Sequence, residues 1–226
     1  MSLLILRAGE IRQLLTMPDC VELMDRAMRA ASSGLVDMPP RIVAQVGAGA
    51  DYLFLMPGVV QEPLAYGAKL ISSLPGNPEG GRPAIQGFVT LFDGDTGAPV
   101  AIMEGGEITR IRTAATSALA SRELARDSAR SHGILGAGVQ AAAHLEAIAC
   151  VRSIDTVFVW ARNFGKAKRF ADSYSGSDQY EIRAVEDPAQ AAACDIVSVV
   201  TNAARPILMG RWLKPGAHLN LVGAHE

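Results

Sequence analysis

From Pro18 to Gly34, apolar residues recur at three- and four-residue steps, at Val21, Met24, Ala27, Met28 and Ala31. That period predicts a helix with one apolar face; Pro18 suits its first turn and Gly34 its C-cap. Beyond residue 35 the period shortens. Five apolar runs with β-branched and aromatic residues follow, RIVAQV (41–46), YLFLMP (52–57), YGAKLIS (66–72), GFVTLFD (87–93) and PVAIME (99–104), punctuated by Gly, Pro and Asp. FDGDTGAP (92–99) carries Asp and Gly where a hairpin connection needs positive φ, so residues 35–104 are expected to form a mostly antiparallel sheet. The alanine-rich run that follows, entered through Gly105 and Gly106, predicts a long helix over 105–126.

From about residue 130, strand-like runs (HGILG, TVFVWA, YEIRAV, CDIVSVV, HLNLVG) alternate with helical ones (VQAAAHLEAIAC, FGKAKRFADSY, EDPAQAAA). Such alternation implies parallel βαβ units with helices on both faces. Gly136-Ala137-Gly138-Val139-Gln140-Ala141 follows the first strand and opens the first helix, reading G-x-G-x-x-A. In a dinucleotide-binding loop the first glycine permits the tight turn and the second lets the backbone approach the pyrophosphate. The third position sets helix–strand packing, where Ala suffices. The helix N-terminus then offers unpaired N–H groups and partial positive charge to the anion. The expected fold is α/β: a Rossmann-type doubly wound dinucleotide-binding domain over 116–226, preceded by an α+β domain over 1–115. The 105–126 helix bridges them.

The second strand refines the cofactor. A fold of this type that prefers NAD carries Asp or Glu at the end of this strand, to accept from the ribose 2′-OH. Here Trp160-Ala161-Arg162-Asn163 has no acid, and Lys166 follows closely. An Arg there can pair with a 2′-phosphate, so NADP(H) is expected over NAD(H), which stays open.

The formal net charge is −2 with no long like-charge run, which gives no footprint for nucleic acid. No apolar run is long enough to span a membrane, and the N-terminus lacks the basic start and small-residue cleavage site of a signal peptide. Cys20, Cys150 and Cys194 have no metal or redox spacing and read as buried, reduced thiols of a cytoplasmic protein. No His, Asp, Glu and Cys grouping has metal-ligand spacing. His132 and His144 read as structural or solvated. His225, just after the last strand, is a candidate acid–base or orienting group.

Three cations in the first half, Arg41, Lys69 and Arg112, sit in apolar or small-residue runs. Singly, each is a side chain that snorkels to water; together they could share a carboxylate. Arg110 and Arg112 cannot share a helix face, so at most one of them points toward a site.

The chain resembles the ornithine cyclodeaminase/mu-crystallin family over nearly its whole length. The resemblance is carried by Met56-Pro57, AKLIS around Lys69, FVTLFDGDTGAPVAIMEGGEITRIRTAATSALA (88–120) and GILGAGVQAAAHL (133–145). It implies a homodimer, a first domain for substrate and dimerisation, and an active site in the cleft between the domains. Two Arg and one Lys of the family bind an amino- or imino-acid carboxylate; they map onto Arg41, Lys69 and Arg112. With His225, Lys69 is also a candidate catalytic group. Thr113 is implied near the cofactor phosphates, and Thr201 and Val222 near the nicotinamide.

Two departures stand out. Ornithine cyclodeaminases carry Glu where this chain has Phe54. The family pattern also continues past Gly223-Ala224-His225 with an acidic stretch whose Asp handles protons on the substrate nitrogen, followed by a segment returning to the first domain. This sequence ends at Glu226, so either it is a fragment with a truncated dinucleotide domain or the protein lacks that group, and little turnover is expected of it as it stands. The leading expectation is an NAD(P)-dependent reductase of the C=N bond in a small cyclic imino acid. The alternatives are an NAD-dependent ornithine cyclodeaminase forming proline, and a non-catalytic protein that binds NADPH and a small carboxylate.

Overall fold

The computed structural model describes residues 3–223. Contacts divide the chain into two compact units, Met1–Thr16 with Leu23–Thr109, and Met17–Glu22 with Arg110–Glu226. The sequence places a boundary at 115/116, inside the long helix; the contacts cut that helix between Thr109 and Arg110 instead.

The first unit holds β1 (Leu4–Leu6), α1 (Ala8–Leu14), most of α2 (Met17–Ser32), β2 (Val36–Asp37), β3 (Ile42–Val46), β4 (Asp51–Gln61), β5 (Leu64–Ser73), β6 (Ile85–Asp93) and β7 (Pro99–Glu104). The sheet runs β1-β7-β6-β5-β4-β2, with β3 also paired to β4. All pairings are antiparallel except β1 with β7, as the alternating runs imply. The β6–β7 hairpin closes through Asp93 N–H to the Ala98 carbonyl at 2.9 Å and Thr96 N–H to Asp93 Oδ1 at 2.9 Å, with Gly97 at φ +73°.

Register sorts the side chains of this sheet by face. Met56, Lys69, Val89 and Met103 form one cross-strand row, and Val43, Phe54 and Ile71 a second row on the same face. Ile42, Leu55, Leu70 and Phe88 form a row on the opposite face. There Ile5, Ile42, Leu53 and Phe88 remain 62, 60, 40 and 40% exposed, so an apolar face stands open.

The long helix α3 (Gly105–Leu124) starts where Glu104 caps it. The Glu104 carboxylate accepts from Gly106 N–H at 2.8 Å and Glu107 N–H at 2.6 Å, satisfying two first-turn donors and placing negative charge at the helix's positive end. Glu107 is buried, and Arg12 neutralises it at 2.9 Å.

The second unit continues with β8 (Ser131–Leu135), α4 (Val139–Val151), β9 (Thr156–Trp160), α5 (Phe164–Ser173), β10 (Glu181–Ala184), α6 (Pro188–Ala192), β11 (Ile196–Val199) and β12 (His218–Leu221). The sheet order is β10-β9-β8-β11-β12 and every pair is parallel, the Rossmann-type arrangement. Leu135, Phe158, Trp160, Val197 and Leu219 pack with Ala191 of α6 on one face. On the other face lie His132, Ile134, Val159 and Ile196, fully buried, and Asn220, which bonds Ser121 of α3. Each such aliphatic side chain contributes roughly 1.5–3 kcal/mol by leaving water. Among the described residues no helix is long and apolar enough to cross a membrane, and no group of His, Cys, Asp and Glu could hold a metal ion.

Two histidines belong to this core. His132 Nε2 lies 3.0 Å from Ser198 Oγ; His144 Nδ1 lies 2.8 Å from the Gln140 carbonyl and its Nε2 3.0 Å from Ser117 Oγ. Both are structural rather than solvated. Burial pushes His132 down from 6.5 to about 3, helped by His144, and His144 down to about 4 against the opposing bond to Gln140. The native state holds these rings neutral, while the unfolded chain protonates them below about pH 6.5. Their contribution to stability is therefore complete above pH 6.5 and is lost as pH falls toward 4. Urea unfolding should show stability falling by roughly 2 kcal/mol per imidazole between pH 7 and 5. Replacing His144 by Gln should remove about half of that loss.

Candidate functional site

Because all five strands of the second unit are parallel, their C-terminal ends share one edge. Leu135 is in register with Trp160 and Val199, and Val199 with Leu221. The segments leaving those strands, Gly136–Gly138, Ala161–Asn163, Val200–Thr201 and Val222, therefore lie side by side. The chain winds from β8 toward β10, then returns to place β11 on β8's other side. The crevice between β8 and β11 is the place where open sheets of this kind bind ligands.

The glycine loop sits at that crevice. Gly136 is buried with φ +134°, and a Cβ there would lie 2.9 Å from the Val200 carbonyl oxygen, so only glycine fits. Gly138 differs: its φ is −109°, and a Cβ would meet nothing within 4 Å. The space beside its backbone is open. Gly138 is the N-cap of α4, and no side chain caps that helix. Asn163 caps α5 and Asp187 caps α6, each accepting a backbone N–H. The first-turn N–H groups of α4 are thus left for an anion. Val139, just inside this turn, is 67% exposed. On α3, the buried Thr113 Oγ1 has no hydrogen-bond partner, whereas Thr109 and Thr116 bond back to the helix carbonyls of Gly105 and Arg112. An uncapped helix end, open space at Gly138 and an orphaned hydroxyl on α3 fit a dinucleotide phosphate.

The other predicted cofactor residues vary in how free they are. Arg162, just past the end of β9, is exposed, as is Lys166 in the first turn of α5. The Asn163 side-chain oxygen accepts the Lys166 N–H at 3.2 Å, so it serves the helix cap and only its amide nitrogen remains for a ligand. Thr201 Oγ1 accepts from Ala203 N–H at 3.0 Å, and Val222 N–H donates to the Val199 carbonyl at 3.1 Å. The first bond is local to its loop, and the second ties Val222 to the end of β11.

The structure brings two of the three cations onto one surface. Lys69 shares a face of the first unit's sheet with Phe54 and Met56, and the Arg41 guanidinium lies 5.4 Å from the centroid of the Phe54 ring. Phe54, read from the sequence only as a missing carboxylate, is thus the platform on which Arg41 rests. Arg112 belongs to the second unit. It is exposed, yet desolvation by surrounding protein lowers its pKa from the ordinary arginine value. No ion pair to it occurs among the described residues, while Arg110 lies 3.5 Å from Glu146. His225 lies outside the described residues. Cys20 and Cys194 are buried, and desolvation pushes each thiol up to about 11; Cys150, expected buried, is exposed on the outer side of α4.

Sequence reasoning passed over Glu104, Ser117, Ser121 and Asn220. The signal for the two serines was present: they stand four apart in an otherwise small and apolar helix, where one face collects positions i and i+4. The contrast between the loop's two glycines makes a direct test. Gly138→Val should leave thermal stability within a few degrees but weaken dinucleotide binding at least tenfold in a fluorescence titration. Gly136→Ala should cost stability of order 1–3 kcal/mol. Unchanged binding in Gly138→Val would remove this loop from the site.

Comparison with known proteins agrees with this fold. The profile of the ornithine cyclodeaminase/mu-crystallin family matches residues 1–226. The ketimine reductase mu-crystallin of Rattus norvegicus is 38% identical over 192 residues, covering 84% of this chain and 60% of that protein. The structure of Thermococcus litoralis Delta(1)-pyrroline-2-carboxylate reductase with NADH and L-proline superposes with TM-score 0.91 at 34% identity, covering 96% of this chain and 67% of that one. An archaeal alanine dehydrogenase dimer with bound NAD superposes with TM-score 0.89 at 29% identity, covering 97% and 67%. The chain thus spans about two thirds or less of the length of these relatives. It is a member of the ornithine cyclodeaminase/mu-crystallin family.

Proposed function

We propose that this chain binds a nicotinamide dinucleotide, NADP(H) in preference to NAD(H), and serves the reduction of the C=N bond in a small cyclic imino acid. The open, uncapped amino terminus of α4 at the sheet's switch point carries the dinucleotide half of this reading. Gly136, Ala137, Gly138, Val139 and Gln140, with the Thr113 hydroxyl, would take the pyrophosphate. Arg162 and Asn163 would face the ribose of the adenosine end, and Thr201 and Val222 the nicotinamide. The dinucleotide, when bound, supplies the hydride that turns the imine into a secondary amine.

The substrate half rests on charge. Arg41, Lys69 and Arg112 each contribute to holding the carboxylate, bidentate Arg for orientation and Lys as a point charge. Lys69 and His225 are the candidate groups for holding a proton toward the imine nitrogen. Phe54 presents a ring where a cyclodeaminase has a carboxylate. A free substrate ammonium there would be desolvated without a partner, whereas a cyclic imine has no second amine to satisfy. The reductase reading is preferred to the cyclodeaminase on this ground. The names of the reductase relatives point the same way.

A homodimer is proposed from the open apolar face of the first sheet and the dimer seen in the archaeal relative. Sedimentation should give twice the chain mass, and Leu53→Asp should return the monomer mass. A wild-type monomer at tens of micromolar would contradict it.

Titration with NADPH and NADH separates the cofactors. The wild type should favour NADPH at least tenfold and Arg162→Asp should reverse the order; equal wild-type affinities would overturn the preference. Assayed as the longest naturally encoded protein, it should oxidise NADPH in the presence of pyrroline- or piperideine-2-carboxylate. Lys69→Met and Arg112→Met should raise KM at least tenfold. Ammonia release from ornithine with no imine reduction would replace this reading by the cyclodeaminase; tight NADPH binding without either activity would replace it by the binding protein.

A further inference from the structure

A line of buried polar groups crosses the second unit, and the proposed chemistry uses none of it. It begins at the Gln140 carbonyl in the first turn of α4, one turn before His144, whose Nδ1 lies 2.8 Å away. His144 Nε2 then meets Ser117 Oγ on α3 at 3.0 Å. The Ser117 carbonyl accepts from Ser121 Oγ at 2.8 Å, and Ser121 Oγ accepts from Asn220 Nδ2 on β12 at 3.0 Å. Asn220 Oδ1 lies 3.2 Å from His218 Nε2. His144 and Ser121 have no exposed surface, and Ser117 and Asn220 keep less than a tenth.

Every proton along this line has one place. The Gln140 carbonyl can only accept, so His144 carries its proton on Nδ1 and leaves a lone pair on Nε2. Ser117 Oγ–H must then donate to that lone pair. Ser121 has already donated to a carbonyl, so its oxygen accepts the Asn220 amide. The Asn220 oxygen is thereby turned to His218, which donates from Nε2. A fully satisfied buried network of this kind favours one arrangement of the elements it joins, because any shift leaves a desolvated group unpaired.

The elements it joins are those of the proposed site. α4 carries the uncapped turn at Gly138, α3 carries Arg112 and Thr113, and β12 leads into Val222. Thr113 stands one turn before Ser117, so both lie on the same face of α3. We propose that His144 is a positioning residue: its paired bonds to Gln140 and Ser117 lock the dinucleotide-binding turn of α4 to the helix that bears Thr113 and Arg112. This rests on the dinucleotide reading and deepens it. Neutral His144 is required, and its burial, which holds the imidazole pKa near 4, keeps it so.

Two pairs of variants test this, each pair with one member that keeps the polar atoms and one that removes them. Ser117→Thr and His144→Gln should bind NADPH within about threefold of wild type, while Ser117→Ala and His144→Leu should bind at least tenfold more weakly with unchanged far-ultraviolet circular dichroism. Either pair suffices if a member of the other does not fold. Equal binding by folded Ser117→Ala and Ser117→Thr, or by both His144 variants, would overturn the proposal. The ¹⁵N spectrum of the ligand-free wild type supplies a readout independent of binding. His144 should show the Nδ1–H tautomer at pH 7, and an Nε2–H or exchanging ring would also overturn it. If the wild type binds neither NADPH nor NADH while the tautomer is as expected, the dinucleotide reading fails and the positioning role fails with it. The bond geometry would then stand as structural only.

Discussion

The crevice depends on the approach of Gly136 to the Val200 carbonyl, where an added Cβ would lie 2.9 Å from the oxygen. This is the point at which the segments leaving β8 and β11 touch, and it fixes where α4 begins. Had the loop been any wider, the first turn of α4 would not open onto the crevice between the two strands. The φ of +134° at Gly136 and the extended backbone at Gly138 then aim the helix end outward with its N–H groups unspent. Parallel register does the rest, bringing the Arg162 and Thr201 segments to the same edge.

Polar groups inside this unit work differently from those on its edge. At the edge, an unfilled bond is a capacity, as in the uncapped N–H groups at the start of α4. Inside, the histidines and the β12 asparagine are paired. His132 pairs with Ser198, His144 with Gln140 and Ser117, and Asn220 with Ser121. Filled groups rigidify the frame that presents the unfilled ones, and an unpaired donor in the interior costs as much as several surface contacts return. The same logic governs the start of α3, where Glu104 and the Arg12–Glu107 pair consume the charges of a helix end that is not offered to a ligand.

Much of this was legible from residues alone. The 3.6 period located α2, alanine-rich composition located α3, and alternating apolar and helical runs located the five main strands of the first sheet and the βαβ series. The glycine loop was legible because its spacing encodes a backbone conformation. β1 was not, since three residues acquire strand character only by pairing with β7, almost a hundred residues away. Phe54 was read as an absence, because a ring's usefulness as a support for Arg41 depends on a cross-strand geometry that the sequence does not state. Cys150 is of a type that buries readily, but its place on the outer side of α4 exposes it. His144 could not be recognised as a bridge until the helix carrying Ser117 lay beside it.

We propose the C-terminal edge of the parallel sheet as a dinucleotide site built from the α4 turn and its neighbours. Hydrogen exchange with and without NADPH reads it directly. Added NADPH should slow exchange at the amides of Ala137–Ala141, Ala161–Asn163 and Thr201, and leave the opposite edge, at Ser131 and Thr156, unchanged. Protection confined to other segments, or no protection at saturating NADPH or NADH, would contradict it.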